Sequence, residues 1–517
     1  MLLNVEVTDE LIERFRADLV AADFFVETLD ELWGPDAAAA LHRSHRVPAL
    51  RAIASSGRED AALAVLARVF VLGLPVAAEV FAAAIPAVEL SGAIELGLVS
   101  VADEVVYPRL DVRPYSFHDS IGEGSWWIAS DLGEMALGHA IDERHVLGVG
   151  GASLTLAGLM ANSRVSSVLD VGTGCGILAL HASRFAQRVV ATDISPRALE
   201  IAAFNAALNS ILSIEFRLGS LFEPVQGERF DRIVSNPPFV ITPRAEGVPS
   251  YEYRDGGLEG DAIVEQVIRG AEDHLEPGGI AQLLGNWEYR EDTNAFERVG
   301  GWLDHTGLDA WIVEREVQVP AQYAETWIRD GGTKPGTAEF DSLYVAWLGD
   351  FEARGVTGVG FGYVNLRRPT TSRRPWRSLE RLDGALGSTF SSTTPGLAAH
   401  IEARFALRDW LDAIDDDLLG RSLLTVASDV TEERHYWPGD DDPTVITLRQ
   451  GAGFAREVPA GTLIAAVVGA CDGELSVRAI CAAVADVLEL DEAAVVAEVL
   501  PSIRDLILWG MLVPESV

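Results

Sequence analysis

A glycine-dense turn follows a short apolar run near residue 170. The run is Val168–Val171, the turn contains Gly172, Gly174 and Gly176, and an apolar stretch from Ile177 to Phe185 comes next. This pattern predicts a buried parallel strand, a sharp turn and a helix. Glycines allow positive φ and close approach to a ligand, and the first N–H groups of the helix face that ligand. We therefore expect a nucleotide-like ligand at this turn.

An acid ends the next predicted strand. The segment 188–192 is mostly apolar and leads into Asp193, about 20 residues beyond the glycines. A carboxylate at this place receives the two hydroxyls of a ribose, whereas a plain structural interpretation makes Asp193 the N-cap of a helix starting at Pro196. No Gly-Lys-Ser/Thr follows the glycines, which argues against a triphosphate-binding loop.

A third apolar strand, Phe230–Ser235, runs into the tetrapeptide Asn236-Pro237-Pro238-Phe239. With the glycine turn upstream, this tetrapeptide makes the sequence resemble the class I S-adenosylmethionine (SAM) N-methyltransferases that methylate planar nitrogens. That group modifies glutamine amides of release factors, or exocyclic amines of adenine and guanine, and includes the small-domain ribosomal-RNA methyltransferases. The resemblance covers roughly residues 126–368, about half of the chain.

The resemblance implies SAM as methyl donor and assigns it a set of residues. The glycine turn would hold the methionine part, Asp170 its ammonium through the loop or a water, and Asp193 the ribose, with Ile194 on the adenine face. Ser220 stands where relatives commonly have an acid, so its hydroxyl or the Leu221 backbone would contact the adenine amine. The predicted cofactor-binding residues are Asp170, Gly172, Thr173, Gly174, Gly176, Asp193, Ile194, Ser220, Leu221 and Asn236. No metal is expected.

The tetrapeptide has a chemical rationale as a catalytic turn. An amide nitrogen is a poor nucleophile because its lone pair is delocalised. The Asn236 side-chain oxygen and the Pro237 carbonyl can each accept one N–H of the target, which aims the lone pair at the methyl group. Pro237 and Pro238 stiffen the turn, and Phe239 can stack on the planar group. The alternative is an ordinary turn after a strand.

One departure from the family pattern and one likeness to it bear on the substrate. Relatives often have tyrosine where this chain has Phe239, so a hydrogen bond from a ring hydroxyl is lost here. Phenylalanine also occurs in similar ribosomal-RNA guanine methyltransferases. The downstream segment 254–260, Arg-Asp-Gly-Gly-Leu-Glu-Gly, is more like the protein-glutamine branch.

Composition narrows the class of partner. The 517 residues carry a formal net charge of −38, and nucleic-acid binding depends on Lys and Arg contacts to phosphate. The acidity therefore favours a protein substrate, although it also serves solubility. One basic cluster, between Arg367 and Arg381, could contact nucleic acid; its plain interpretation is a set of surface ion pairs.

Cysteine content and hydropathy predict the compartment. Three cysteines do not form a disulfide framework, which indicates a reducing cytoplasm. No signal peptide is visible, and the most apolar region, 61–90, is interrupted by charges and prolines, so we expect no membrane contact.

Three modules are expected. Residues 1–117 read as helices followed by a hairpin, a winged-helix-like accessory domain. Residues 118–370 form the methyltransferase domain, and residues 371–517 form a C-terminal α+β module, with a second winged-helix-like stretch at 463–513. The predicted fold class is α/β, a Rossmann-like domain with two accessory modules.

Alternating strands and helices carry the central domain. The ligand should lie beyond the carboxyl ends of its strands, where Gly172, Asp193 and Asn236 all fall. The predicted strands are 168–171, 188–192, 213–217, 230–235, 280–284, 310–319, 342–348 and 358–366, and the predicted helices are 177–185, 196–209, 261–275 and 295–306.

Three hypotheses remain open at this point. The leading one is a SAM-dependent N-methyltransferase acting on a glutamine or asparagine amide of a protein, such as a translation factor or a ribosomal protein. The second is the same chemistry on an exocyclic amine of rRNA, tRNA or DNA. The third is a non-catalytic SAM-binding adaptor, against which the intact tetrapeptide argues.

Overall fold

The computed structural model of the chain describes residues 5–138, 141–142, 144–245, 248–249, 252–387 and 396–515. The chain divides into two compact units. The first comprises residues 1–157 and 163–380, and the second comprises residues 158–162 and 381–517.

The first unit begins with short helices and a small sheet. Helices come first and a hairpin follows, as predicted. The hairpin consists of β2 (Val99–Ala102) and β3 (Val105–Pro108), and β1 (Val76–Ala77) pairs with β3 to complete the sheet. The winged-helix likeness of this region stays a prediction. The elements are α1 (Val5–Ala21), α2 (Val26–Leu41), α3 (Val47–Ser56), α4 (Ala62–Leu66, continued by a π-helical turn at Ala67–Val71), β1 (Val76–Ala77), α5 (Ala78–Ala84), α6 (Glu89–Glu95), β2 (Val99–Ala102) and β3 (Val105–Pro108).

A long antiparallel hairpin leads into the central sheet. It consists of β4 (Leu110–Asp119) and β5 (Gly122–Asp131). β4 continues through the domain boundary predicted at residue 117, and residues on both sides of that boundary lie in the first compact unit. The predicted three-module division stays a prediction.

The remaining elements of the first unit alternate as the sequence pattern requires. Most fall within a few residues of their predicted bounds. They are α7 (Glu134–Leu137), α8 (Gly151–Leu159), β6 (Val165–Val171), α9 (Ile177–Ala182), β7 (Ala186–Asp193), α10 (Pro196–Leu208), β8 (Ile214–Leu218), β9 (Phe230–Ser235), α11 (Glu252–Asp255), α12 (Ala262–His274), β10 (Leu275–Arg290), α13 (Ala295–Trp302), β11 (Asp309–Gln318), α14 (Pro320–Asp330), α15 (Ala338–Ala353), β12 (Val356–Arg367) and β13 (Arg377–Arg381).

These strands form one eight-stranded sheet in the order β13-β11-β12-β10-β9-β6-β7-β8. β10, β9, β6, β7 and β8 pair in parallel, while β12 is antiparallel to both β10 and β11. The Rossmann-like α/β fold is thereby confirmed for the central domain. Because β6, β7, β8, β9 and β10 are parallel, the carboxyl ends of β6, β7 and β9 meet at one edge of the sheet.

The predicted strand at 342–348 is wrong, because this segment lies inside helix α15. Its run of apolar residues is short and fits a strand or a buried helix equally well by periodicity. Phe340, Trp347 and Phe351 are buried at helical spacing, whereas Val345 is exposed. The Thr337 hydroxyl caps the helix by accepting the N–H of Phe340.

The second unit contains two three-stranded sheets, ordered β18-β14-β19 and β15-β16-β17, around an apolar core. Its elements are α16 (Leu397–Asp412), α17 (Asp416–Arg421), β14 (Leu423–Val426), β15 (Val430–His435), β16 (Val445–Gln450), β17 (Glu457–Ala460), α18 (Thr462–Gly469), β18 (Asp472–Ser476), α19 (Val477–Val487), α20 (Glu492–Leu508) and β19 (Leu512–Pro514).

Among the described helices, none combines the length and the apolar character needed to cross a bilayer.

Candidate active site

A cavity of about 430 Å³ lies at the carboxyl edge of the parallel strands. We call it the edge cavity. Its walls come from four stretches of the first unit, 144–153, 172–178, 193–198 and 236–240, together with Arg254, Trp327 and Asp330. The volume lies within the range of roughly 300–1,000 Å³ that small-molecule sites occupy. The glycine turn after β6, Asp193 after β7 and the tetrapeptide after β9 therefore face one cavity.

The glycine turn after β6 adopts left-handed backbone at all three predicted positions. φ is 74° at Gly172, 55° at Gly174 and 88° at Gly176. A Cβ atom at Gly176 would also lie 3.0 Å from the Cβ of Ala202, so α9 and α10 approach closely here. Between the glycines, burial raises the pKa of the Cys175 thiol to about 11. This thiol stays protonated and fills space.

Asp193, at the end of β7, joins two sides of the edge cavity. Its Oδ2 accepts the N–H of Gly174 at 2.9 Å, and its Oδ1 accepts the N–H of Ser195 at 2.9 Å. Burial raises the pKa of Asp193 above its ordinary value. The N-cap of α10 is Ser195, whose hydroxyl accepts the N–H of Ala198. Asp193 is therefore not the helix cap, and its remaining lone pairs can accept hydrogen bonds from a ligand.

Asp170 lies behind the glycine turn and is fully buried. The Thr173 hydroxyl donates to its Oδ2 at 2.6 Å, while its Oδ1 has no hydrogen-bond partner among the described residues. Burial and the neighbouring charge of Asp193 raise the pKa of Asp170 to about 7, against the lowering effect of Thr173. Asp170 does not line the edge cavity, so any influence on a ligand passes through Thr173 and the loop.

Asn236 follows β9 and lines the edge cavity from the opposite side. Its Nδ2 donates to the hydroxyl of Ser153 on α8 at 3.3 Å. Its Oδ1 is buried and has no hydrogen-bond partner among the described residues. Because leaving a buried acceptor unpaired costs about 1–3 kcal/mol, this oxygen is positioned for a donor that the protein itself does not supply.

The prolines after Asn236 are held by the segment 254–257. Gly256 has φ of 58°, and a Cβ atom there would lie 2.9 Å from Pro238 Cγ. The N–H of Val240 donates to the carbonyl of Arg254 at 2.9 Å. The two prolines and this backing loop leave the turn little freedom to move.

A glycine-bearing loop closes another wall of the edge cavity. It runs through residues 145–151 and is tied to the end of β5, because Asp131 N–H donates to the Val146 carbonyl at 3.1 Å and Val146 N–H donates to Asp131 Oδ2 at 3.0 Å. A Cβ atom at Gly148 would lie 2.9 Å from the Ser130 hydroxyl oxygen. The hairpin β4–β5 therefore fixes this loop.

Four of the predicted cofactor-binding residues do not line the edge cavity, namely Asp170, Gly176, Ser220 and Leu221. Ser220 and Leu221 line a different cavity, next to Phe222 and His274. Ile194 lines the edge cavity and is 64% exposed, so its side chain is accessible to a planar ligand. Thr173 and Phe239 also line it.

Helix α14 contributes to the wall of the edge cavity, although no local motif in its sequence predicts this. Trp327 on α14 lines the edge cavity, and its carbonyl accepts from Arg254 Nη1 at 3.1 Å. The Tyr323 hydroxyl accepts the N–H of Ile241 at 3.0 Å. The spacing of the two aromatic residues is helical, but they lie more than 80 residues beyond the tetrapeptide, and only the fold brings them to it.

Three family descriptions match parts of the chain. The methyltransferase small domain matches residues 148–293, which include the glycine turn, Asp193 and the tetrapeptide. Two domains of unknown function, DUF7059 and DUF7782, match residues 21–109 and 402–514.

Sequence relatives point in the same direction. A protein of Methanocaldococcus jannaschii, named as a candidate protein N5-glutamine methyltransferase, is 35% identical over 135 residues, which are 26% of this chain and 68% of that protein. The release factor glutamine methyltransferase of Xylella fastidiosa is 38% identical over 23% of this chain and 47% of its own length.

The ribosomal protein uL3 glutamine methyltransferase of Bradyrhizobium diazoefficiens is 35% identical over 27% of this chain and 47% of its own length. The chain thus spans two thirds of the first relative and about half the length of the other two. The chain belongs to the class I SAM-dependent N-methyltransferases of the glutamine-methyltransferase type.

Proposed function

We propose that this protein transfers the methyl group of SAM to the side-chain amide nitrogen of a glutamine in a protein. The observation that carries the proposal is the buried, unpaired Oδ1 of Asn236 at the wall of the edge cavity. A primary amide offers two N–H groups, and this oxygen accepts one of them.

The edge cavity fits SAM by its donor set. The ribose hydroxyls would bind Asp193, and the amino-acid part would lie over Gly172 and Gly174 with the Asp170 charge behind them. Bound there, SAM supplies an electrophilic methyl group attached to a sulfonium. The roles of Ser220 and Leu221 in contacting adenine remain a prediction, because these two residues line another cavity.

The acceptor side is built from the rigid turn. Asn236 Oδ1 and the Pro237 carbonyl would take the two N–H groups of the target amide, and the Phe239 ring would cover its plane. Ser153 fixes the orientation of the Asn236 amide through its hydrogen bond. Pre-organisation of this kind lowers the entropy lost when the nitrogen is aimed. After transfer, the amide nitrogen releases one proton to water.

A protein substrate is supported by the relatives, whose names specify glutamine methylation of release factors and of ribosomal protein uL3. Such substrates accord with the cytoplasmic location that the sequence predicts. Three of the six arginines proposed for nucleic-acid contact form ion pairs with acids. Arg367 and Arg373 both pair with the buried carboxylate of Asp309, and Arg377 pairs with Asp304. This cluster has less positive charge to offer phosphate than its sequence suggests.

Radiolabel transfer tests the proposal. A lysate is incubated with the purified protein and SAM carrying a tritiated methyl group, and is then digested with protease or with nuclease. We expect label in material that protease destroys, and labelled N5-methylglutamine after complete enzymatic digestion to amino acids. Label that only nuclease destroys would support a nucleic-acid substrate, and absence of label despite SAM binding would support an adaptor.

A further inference from the structure

A second cavity, which we call the side cavity, opens beside the edge cavity. Its volume is about 260 Å³, and it shares Ala152, Phe239 and Trp327 with the edge cavity. The volume is below the roughly 300–1,000 Å³ of sites that take whole small molecules. Because Phe239 lies directly after the catalytic prolines, a group in the side cavity would belong to a residue close to the methylated glutamine.

Four aromatic rings form part of the wall of the side cavity. Phe239, Tyr323, Trp327 and Phe361 all line it. The centroids of Phe239 and Phe361 are 5.7 Å apart, and those of Tyr323 and Trp327 are 6.0 Å apart. The faces of such rings carry negative potential and attract cations.

The charged side chain in the wall of the side cavity, Glu316, is also negative. Glu316 lines it and is exposed, and Gln318 Nε2 donates to its Oε1 at 2.8 Å. Within the described part of the chain, no Lys, Arg or His side chain lines this cavity. A cation entering the side cavity therefore meets a carboxylate and aromatic rings, and the nearby Arg254, which acts on Tyr323, lies in the wall of the edge cavity instead.

One buried amide in the side cavity has an unused polar atom. Asn286 is 1% exposed, and its Nδ2 donates to the Tyr323 hydroxyl at 2.6 Å. Its Oδ1 has no hydrogen-bond partner among the described residues. Since buried polar groups are nearly always paired, this oxygen is available to accept a hydrogen bond from a donor group in the side cavity.

We propose that the side cavity binds a lysine or arginine side chain of the substrate, near in sequence to the methylated glutamine. This inference rests on the proposed function and adds a specificity to it. The methylene stem would lie against the rings and the charged head against Glu316 and Asn286. The net charge of −38 agrees with a basic substrate segment.

An oriented peptide library tests the inference. Each peptide carries one glutamine between randomised positions, and products are sorted by their added methyl mass after incubation with the full chain and SAM. We expect Lys and Arg to be enriched at one fixed position near the glutamine. Enrichment of Leu, Met or Phe there would overturn the inference, because the side cavity would then be an apolar pocket.

The selected peptide is then remade with citrulline, the neutral analogue of arginine. We expect kcat/KM to fall about tenfold with the wild-type protein. In Glu316→Gln the same change in peptide should cost only about threefold. The matched control, Glu339→Gln, removes one exposed carboxylate outside the side cavity and should retain the tenfold difference.

The two proposals fail in distinguishable ways. If glutamine peptides are methylated with no preference for flanking residues, or if citrulline is accepted as well as arginine, the side-cavity inference is wrong and the proposed function stands. If no glutamine in the library is methylated while the protein binds SAM, the proposed function fails, and the inference that rests on it fails too.

Discussion

Replacement of Asn236 by alanine isolates the contribution of one oxygen atom. Asn236 Oδ1 is buried and unpaired, so the variant removes an acceptor that the folded protein does not use. The substrate amide would then enter a closed site with one N–H unpaired, which costs about 1–3 kcal/mol. That free energy corresponds to a decrease in kcat/KM for the protein substrate of roughly 5- to 160-fold.

The fold should tolerate this change. The hydrogen bond from Asn236 Nδ2 to Ser153 is 3.3 Å long, so its loss costs about 1 kcal/mol or less of unfolding free energy. We expect the affinity for SAM to change less than threefold, because the groups expected to bind SAM, Asp193 and the glycine turn, follow β7 and β6, whereas Asn236 follows β9.

Two measurements separate the effects. Titration calorimetry gives the dissociation constant of SAM, and tritium transfer at saturating SAM and low substrate concentration gives kcat/KM for the protein substrate. Ser153→Ala serves as the matched comparison, since it keeps the Asn236 oxygen and only frees the amide to rotate; we expect a loss of about threefold. Wild-type turnover by Asn236→Ala, with SAM binding intact, would refute the assigned role of the tetrapeptide.

Three other residues of the site give predictions of different kinds. Asp170 has a folded pKa of about 7, above its ordinary 3.8, so its own contribution to stability should fall as pH rises from about 4 to 7. The free energy of unfolding of Asp170→Asn should therefore rise relative to that of the wild type over this range, and denaturant unfolding of both proteins at each pH measures that difference; a difference that does not change with pH would refute the assigned pKa. Asp193→Ala should weaken SAM binding at least tenfold, as calorimetry measures, because charge-assisted hydrogen bonds contribute about 1.5–3 kcal/mol each; unchanged affinity would remove Asp193 from the site. Gly256→Ala should lower the free energy of unfolding by about 1–3 kcal/mol, because the backbone of Gly256 is left-handed and a Cβ atom there would contact Pro238. The melting temperature and kcat should both decrease as a result. A stable, fully active variant would show that the backing loop does not support the turn.

Ion pairing decided the interpretation of the basic cluster. In the sequence, the arginines between 367 and 381 stand together as the main concentration of positive charge. In the structure, Asp309 is buried and receives both Arg367 and Arg373. Asp309 lies almost 60 residues upstream of this cluster, so composition could not show that two of its arginines share a buried carboxylate.

The local sequence determined the motifs and the elements that carry them. Apolar runs of strand length followed by glycine, acid or Asn-Pro-Pro specify where strands end, and parallel strands place their ends at one edge, so Gly174, Asp193 and Asn236 could be expected around one ligand. The same local reasoning failed at 342–348, because a short apolar run does not distinguish a strand from a buried helix.

Only the tertiary structure decided what surrounds these residues. Ser153 orients Asn236 across more than 80 positions of sequence, Gly256 backs Pro238, and α14 brings Tyr323 and Trp327 against the tetrapeptide. The physical reason is that sequence periodicity reports which face of an element is buried, whereas a cavity is formed by side chains of several elements whose neighbours are set by the order of strands in the sheet.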